Sequence, residues 1–142
     1  MTRARATSSI PPPMSVLVAD DDASARRAIH ILLESEGYEV TETSDGDTTL
    51  ELLVDAVMDG IPLPDVLLLD FKLPGYSGLG VLRALRRVSP IPPTVLITGF
   101  PDHSVEVLAR NLGVLRVLYK PLDADDLLAA VLEAARVRSH LT

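Results

Sequence analysis

Cysteine is absent from the 142 residues, so disulfides, thiolate nucleophiles and cysteine-based metal sites are excluded. The absence is compatible with a reducing cytoplasm without demonstrating one. Lysine is nearly absent: eleven of the thirteen basic residues are Arg, leaving Lys72 and Lys120 wherever a compact ammonium is needed. Positive charge is in deficit overall, with 13 Lys+Arg against 20 Asp+Glu and a net charge of −7. That balance argues against holding nucleic acid by phosphate neutralisation and against an anionic membrane surface. No apolar run approaches the roughly 18 residues of a membrane span. The start has Arg3 and Arg5 but lacks the apolar stretch of a secretory signal, and its Thr, Ser and Pro content reads as an extended or disordered arm over residues 1–14.

What remains is a chain of one-domain length with 47% hydrophobic residues, enough to build a core. From Met14 onward, short apolar runs alternate with amphipathic segments. Val16 to Ala19, Tyr38 to Thr43, Asp65 to Asp70, Thr94 to Thr98 and Val114 to Tyr119 read as strands. Between them, helical spacing runs from Ala25 to Leu33, from Thr49 to Met58, through Leu79, Leu82, Leu85 and Val88, and through Leu108 and Leu112; a last helix runs from Ala124 to about Arg138. Asp45-Gly46 reads as a turn, Ser77 and Asp102 or Ser104 as helix caps, and Asp123 with Asp126 as a capping box. Five strands alternating with five helices predict a parallel sheet covered on both faces, a three-layer α/β domain over 15–138 with a tail at 139–142.

In such sheets ligands bind beyond the carboxyl ends of the strands. Those ends carry Asp20-Asp21, Asp70, Thr98-Gly99 and Lys120-Pro121. Crowded carboxylates call for a cation, and hard oxygen ligands suit Mg²⁺. A metal beside a carboxylate, a lysine and a threonine hydroxyl is equipment for holding a phosphoryl group, with Asp70 as nucleophile. Taken alone, the run Asp20 to Asp22 also suits a solvated acidic cap at a helix start, Thr98 a strand-end hydroxyl and Lys120 a surface charge. Their joint placement at strand ends favours the site. His30, His103 and His140 lack metal-ligand spacing and read as structural or exposed.

Val-Leu-Val-Ala-Asp20-Asp21, Leu-Leu-Leu-Asp70-Phe-Lys-Leu-Pro74-Gly75, Leu-Ile-Thr98-Gly99 and Leu-Tyr-Lys120-Pro121 together resemble the receiver domain of two-component response regulators, of CheY-like type, across nearly the whole chain. The resemblance implies a flavodoxin-like sheet in the order 2-1-3-4-5, an order already established for a receiver of this type. It implies Asp70 as phosphoacceptor; Asp20, Asp21, Asp70 and the Lys72 backbone carbonyl as ligands of Mg²⁺ (or Mn²⁺); Thr98 and Lys120 as phosphoryl-binding groups; and a cis Lys120-Pro121 bond. It further implies a sensor histidine kinase or histidine phosphotransfer protein as donor, recognised on the first helix, a downstream protein target, a cytoplasmic location, and no catalysis beyond the domain's own phosphorylation and dephosphorylation.

Two features depart from the family pattern. The switch aromatic three residues before the lysine is replaced by Val117, whose branched side chain cannot make an aromatic swing, so switching is expected to run through the Thr98 loop, with Phe100 or Tyr119 as substitutes. The positions governing phosphoryl lifetime are Lys72 and Phe100, neither able to orient an attacking water, which predicts slow self-dephosphorylation. Two alternatives remain: a phosphorylation-independent receiver-like binding module, and a haloacid-dehalogenase-type phosphatase, which needs a second acid where Lys72 stands.

Overall fold

The runs Val66-Leu67-Leu68-Leu69 and Thr94-Val95-Leu96-Ile97 are apolar without alternation, as strands buried on both faces must be. The computed structural model, which describes residues 13–141, places them at the centre of a five-stranded parallel sheet. Its order is β2-β1-β3-β4-β5, with β1 at Ser15–Ala19, β2 at Glu39–Thr43, β3 at Val66–Asp70, β4 at Thr94–Thr98 and β5 at Arg116–Tyr119. The helices between and after them are α1 (Ala23–Ser35), α2 (Gly46–Asp59), α3 (Gly78–Leu85), α4 (His103–Asn111) and α5 (Ala124–Leu141).

The two-residue period of a strand divides the core into two layers. Val16, Val18, Val66, Leu68, Val95 and Ile97 face one side and pack against Ile29 and Leu33 of α1 and Leu127, Val131 and Ala134 of α5. Leu17, Ala19, Leu67, Leu69 and Leu96 face the other and meet Leu53 of α2, Leu82 and Leu85 of α3, and Val105 and Ala109 of α4. The architecture is the expected flavodoxin-like three-layer fold.

Element ends differ from the sequence reading where a side chain or a loop contact sets them. Asp45 is the N-cap of α2, accepting from the Thr48 amide, so the helix begins at Gly46 rather than Thr49 and no separate turn precedes it. α3 stops at Leu85, leaving Val88 beyond it and exposed, and Leu108 lies on the solvent side of α4, where Val105 and Ala109 are the buried residues. β5 begins at Arg116, not Val114. Asp65 sits just before β3, where its side chain accepts from the Ser15 amide at 2.8 Å. Asp123 accepts from the amides of Asp125 and Asp126 at the start of α5. That helix continues through 139–141, so most of the expected tail is helical. Residues 1–12 of the expected arm lie outside the described residues, whereas Met14 packs on the core and its carbonyl accepts from Glu39.

Candidate functional site

Strand register alone brings the acids together. Ala19 pairs with Leu69, so Asp20 stands level with Asp70 at the carboxyl edge of β1 and β3. Asp70 pairs with Ile97, putting Thr98 one residue further along β4, and Thr98 pairs with Tyr119, putting Lys120 just beyond β5. Ligand oxygens of Asp20, Asp21 and Asp70 lie within 4.8 Å of one another.

Each group has a distinct environment. Asp70 is 3% exposed; its Oδ1 accepts from the Lys72 amide at 3.0 Å and its Oδ2 from Lys120 Nζ at 2.5 Å. Asp20 is 1% exposed; its Oδ1 accepts from the Asp22 amide at 2.9 Å, but its buried Oδ2 has no hydrogen-bond partner among the described residues, with Lys120 Nζ 3.8 Å away. Burial pushes the Asp20 carboxyl above the ordinary aspartate range; the Asp22 amide and Lys120 oppose the shift, and the neighbouring charges of Asp70 and Asp21 reinforce it. Burial also works against the Lys120 ammonium, yet its hydrogen bond to Asp70 and the charges of Asp20, Asp70 and Asp21 prevail and raise its pKa. Asp21 is exposed.

An orphaned, buried carboxylate oxygen facing two further carboxylates is a donor set for a hard cation, and Lys120 alone does not satisfy it. The residues therefore fit a divalent metal. Of the acidic run, only Asp22 turns out to be a helix cap, accepting from Ser24 and Ala25, which leaves Asp20 and Asp21 for the pocket.

Around this centre the remaining expected residues find places. Thr98 is buried, and its hydroxyl is 3.4 Å from both the amide and the carbonyl of Phe100. Phe100 itself is 69% exposed, and Lys72 Nζ lies 5.4 Å from its ring centroid, a cation–π contact joining the two positions expected to govern phosphoryl lifetime. The Lys120-Pro121 bond is cis. Val117 is half-buried against the α2–α4 layer and lines a groove between α4 and β5 with Glu106, Arg110, Arg116 and Tyr119.

One support escaped the sequence reading. Gly46 donates its amide to the Pro74 carbonyl at 2.9 Å, and a Cβ there would lie 1.8 Å from the Tyr76 carbonyl oxygen. The start of α2 thus clamps the loop that carries Lys72. Gly46→Ala is expected to destabilise the fold by about 1–3 kcal/mol or more, because backbone must move to admit the methyl group. Urea unfolding checks this, with Gly37→Ala, where space is open but φ is +94°, as a comparison of pure backbone strain. His30 takes the structural role expected of it: its Nδ1 lies 2.5 Å from Glu42 and its Nε2 lies 3.4 Å from Glu34. His103 opens α4 and is exposed, and the side chain of His140 lies outside the described residues.

The sequence model of the response regulator receiver domain matches residues 16–132. The chain belongs to this family. The receiver is 36% identical over 118 residues to the transcriptional regulatory protein DltR of Streptococcus agalactiae serotype III (strain NEM316), a match covering 83% of this chain and 50% of DltR. It is 34% identical over 116 residues to the DNA-binding transcriptional regulator NtrC of Escherichia coli (strain K12), covering 82% of this chain and 24% of NtrC. The chain thus spans half or less of the length of these relatives. Among solved structures, a response regulator receiver domain protein from Clostridium thermocellum superposes with a TM-score of 0.79 at 30% identity, covering 91% of this chain and 99% of that one. A CheY-like receiver from Methanospirillum hungatei JF-1 has the same TM-score at 23% identity, covers 92% of this chain and 99% of that one, and supports the fold alone. Among the described residues, no helix of the receiver is long and apolar enough to cross a membrane.

Proposed function

We propose that this receiver takes a phosphoryl group onto Asp70 from the phosphohistidine of a sensor kinase or histidine phosphotransfer protein and signals through protein contacts. The observation that carries this reading is the pairing of buried Asp70 with Lys120 beside an Asp20 Oδ2 that has no hydrogen-bond partner among the described residues. A carboxylate oxygen of Asp70 attacks phosphorus as the P–N bond breaks; the bonding pair stays on the donor imidazole, which solvent reprotonates, and an acyl phosphate remains. Asp20, Asp21, Asp70 and the Lys72 carbonyl would hold Mg²⁺, which supplies charge to neutralise phosphoryl oxygens. Lys120, tied to Asp70 at the start, is placed to pair with an incoming phosphoryl oxygen, and the Thr98 hydroxyl, held only at 3.4 Å, is free to reorient toward another.

That reorientation loosens the Thr98–Phe100 contact and moves the β4–α4 loop, a route to the α4–β5 surface that needs no aromatic at Val117. The chain catalyses only its own phosphorylation and dephosphorylation, acts in the cytoplasm, and makes no nucleic-acid contact of its own. Intact mass spectrometry after exposure to acetyl phosphate tests the proposal: one added phosphoryl group is expected with Mg²⁺ and none with chelator. Absence of an adduct from acetyl phosphate and from a phosphohistidine donor would favour a phosphorylation-independent binding module.

Neither the Lys72 nor the Phe100 side chain supplies a carboxylate or amide to align an attacking water, so the phosphoryl group is expected to persist. Phe100→Ala, which removes the ring against Lys72 Nζ, should shorten its half-life by about tenfold. A time course by mass spectrometry decides this, and an unchanged half-life would remove Phe100 from the protection of the site.

A further inference from the structure

Beyond the pocket itself, a polar cluster lies between α1 and β2, gathered on Glu42. Its Oε1 accepts from Arg26 Nε at 2.8 Å, and its Oε2 lies 3.3 Å from Arg27 Nη1 and 2.5 Å from His30 Nδ1. The hydrogen bond from Arg26, ahead of those from His30 and Arg27, holds the Glu42 carboxyl below the ordinary glutamate range. Arg26 differs from its neighbours in reaching the acidic pocket's backbone, because its Nη1 donates to the carbonyl of Asp20 at 2.8 Å. Among the described residues Arg27 reaches Glu42 only, with 64% of its side chain exposed against 18% for Arg26.

Both backbone polar groups of Asp20 are therefore anchored on β2. Its amide donates to the Thr43 carbonyl at 3.1 Å, and its carbonyl receives the guanidinium that Glu42 holds in place. The Asp20 carbonyl belongs to the peptide joining Asp20 to Asp21, so its orientation sets how the two carboxylates stand relative to each other. A planar fork serving both acceptors fixes that peptide in a way one ammonium cannot.

We infer that Arg26 is a positioning residue for the acidic pocket, fixing the Asp20–Asp21 peptide so that both carboxylates converge on Asp70. The inference rests on the reading of that pocket as a divalent-metal site. It makes a prediction of distinctive sign. Removing a cation near an acidic pocket should, by Coulomb's law alone, tighten binding of Mg²⁺. Loss of positioning weakens it.

The test is a titration of the full chain with Mg²⁺, followed by the amide resonances of Asp21 and Asp22, with a thermal melt of each variant. Arg26→Met keeps the aliphatic stem and is expected to bind Mg²⁺ about tenfold more weakly, the usual scale for a group that orients a ligand. Arg26→Lys keeps the charge without the fork, should also bind more weakly, and carries the test if the methionine variant does not fold. Arg27→Met should match the wild type or bind slightly more tightly. Wild-type or tighter affinity in the Arg26 variants, or equal weakening in Arg27→Met, would overturn the inference while Asp20→Asn still lost binding. Unchanged affinity in Asp20→Asn would instead overturn the metal reading, and the inference with it.

Discussion

Asp70→Asn is expected to abolish phosphoryl incorporation from acetyl phosphate, lowering the rate by at least about a hundredfold, while the folded structure persists. The amide oxygen can still accept from the Lys72 amide, so the strand end keeps that contact at 3.0 Å. What disappears is the anionic nucleophile and the charge that holds Lys120 at Asp70. The same substitution leaves Asp20 as the nearer counter-charge for Lys120, at 3.8 Å, so loss of incorporation cannot be ascribed to a collapsed pocket if the melting temperature stays at or above that of the wild type. Mass spectrometry of both proteins under identical donor and Mg²⁺ concentrations gives the comparison. An adduct of equal yield in the variant would place the nucleophile elsewhere.

The second large effect runs in the opposite direction for stability and function. Asp20 is buried, its Oδ2 lacks a hydrogen bond, and burial raises its pKa. A carboxyl whose folded pKa is raised contributes most when protonated, below the ordinary aspartate range, and that contribution is lost as pH rises through the raised value. At neutral pH the ionised group therefore costs stability. Asp20→Asn is neutral at every pH and should raise the melting temperature in metal-free buffer by about 3–6 °C, the consequence of relieving roughly 1 kcal/mol in a domain of this size. The gain should shrink as pH falls and the wild-type carboxyl protonates. Added Mg²⁺ should reverse the ranking, because a ligand at 100 times its dissociation constant stabilises the wild type by about 2.7 kcal/mol and the variant has lost the site. Calorimetry at two pH values, with and without Mg²⁺, measures both effects. A destabilised variant in metal-free buffer would mean that the Asp20 charge supports the fold.

These effects trace to features of unequal visibility in the sequence. Asp20, Asp70, Thr98 and Lys120 were legible because a parallel sheet sends the carboxyl ends of its strands to one edge, and each residue directly ends or follows an apolar run. The two-faced burial of β3 and β4 was legible for the same reason: their apolar runs do not alternate. Helix ends were less so. Asp45 caps α2 through its side chain, a local choice that Asp45-Gly46 shares with an ordinary turn, and Leu108 follows helical spacing yet faces solvent because α4 buries only a narrow stripe. The supports of the site were not legible at all. Arg26 and Glu42 lie on separate elements, Gly46 meets Tyr76 across a loop, and Lys72 meets Phe100 across the sheet edge, and no local pattern announces any of these meetings. Their signal is in the third dimension: a guanidinium serving two acceptors, a glycine with no room for a Cβ, and a cation above a ring.

The proposed phosphoacceptor can be located chemically. Borohydride reduces an acyl phosphate but not a free carboxylate, so treatment of the phosphorylated chain converts the modified aspartate to homoserine, which peptide mapping identifies by position. Homoserine at position 70, dependent on both phosphodonor and Mg²⁺, is the expected result. Homoserine at position 20 or 21, or a phosphoryl adduct that resists reduction, would contradict Asp70 as the residue that carries the signal.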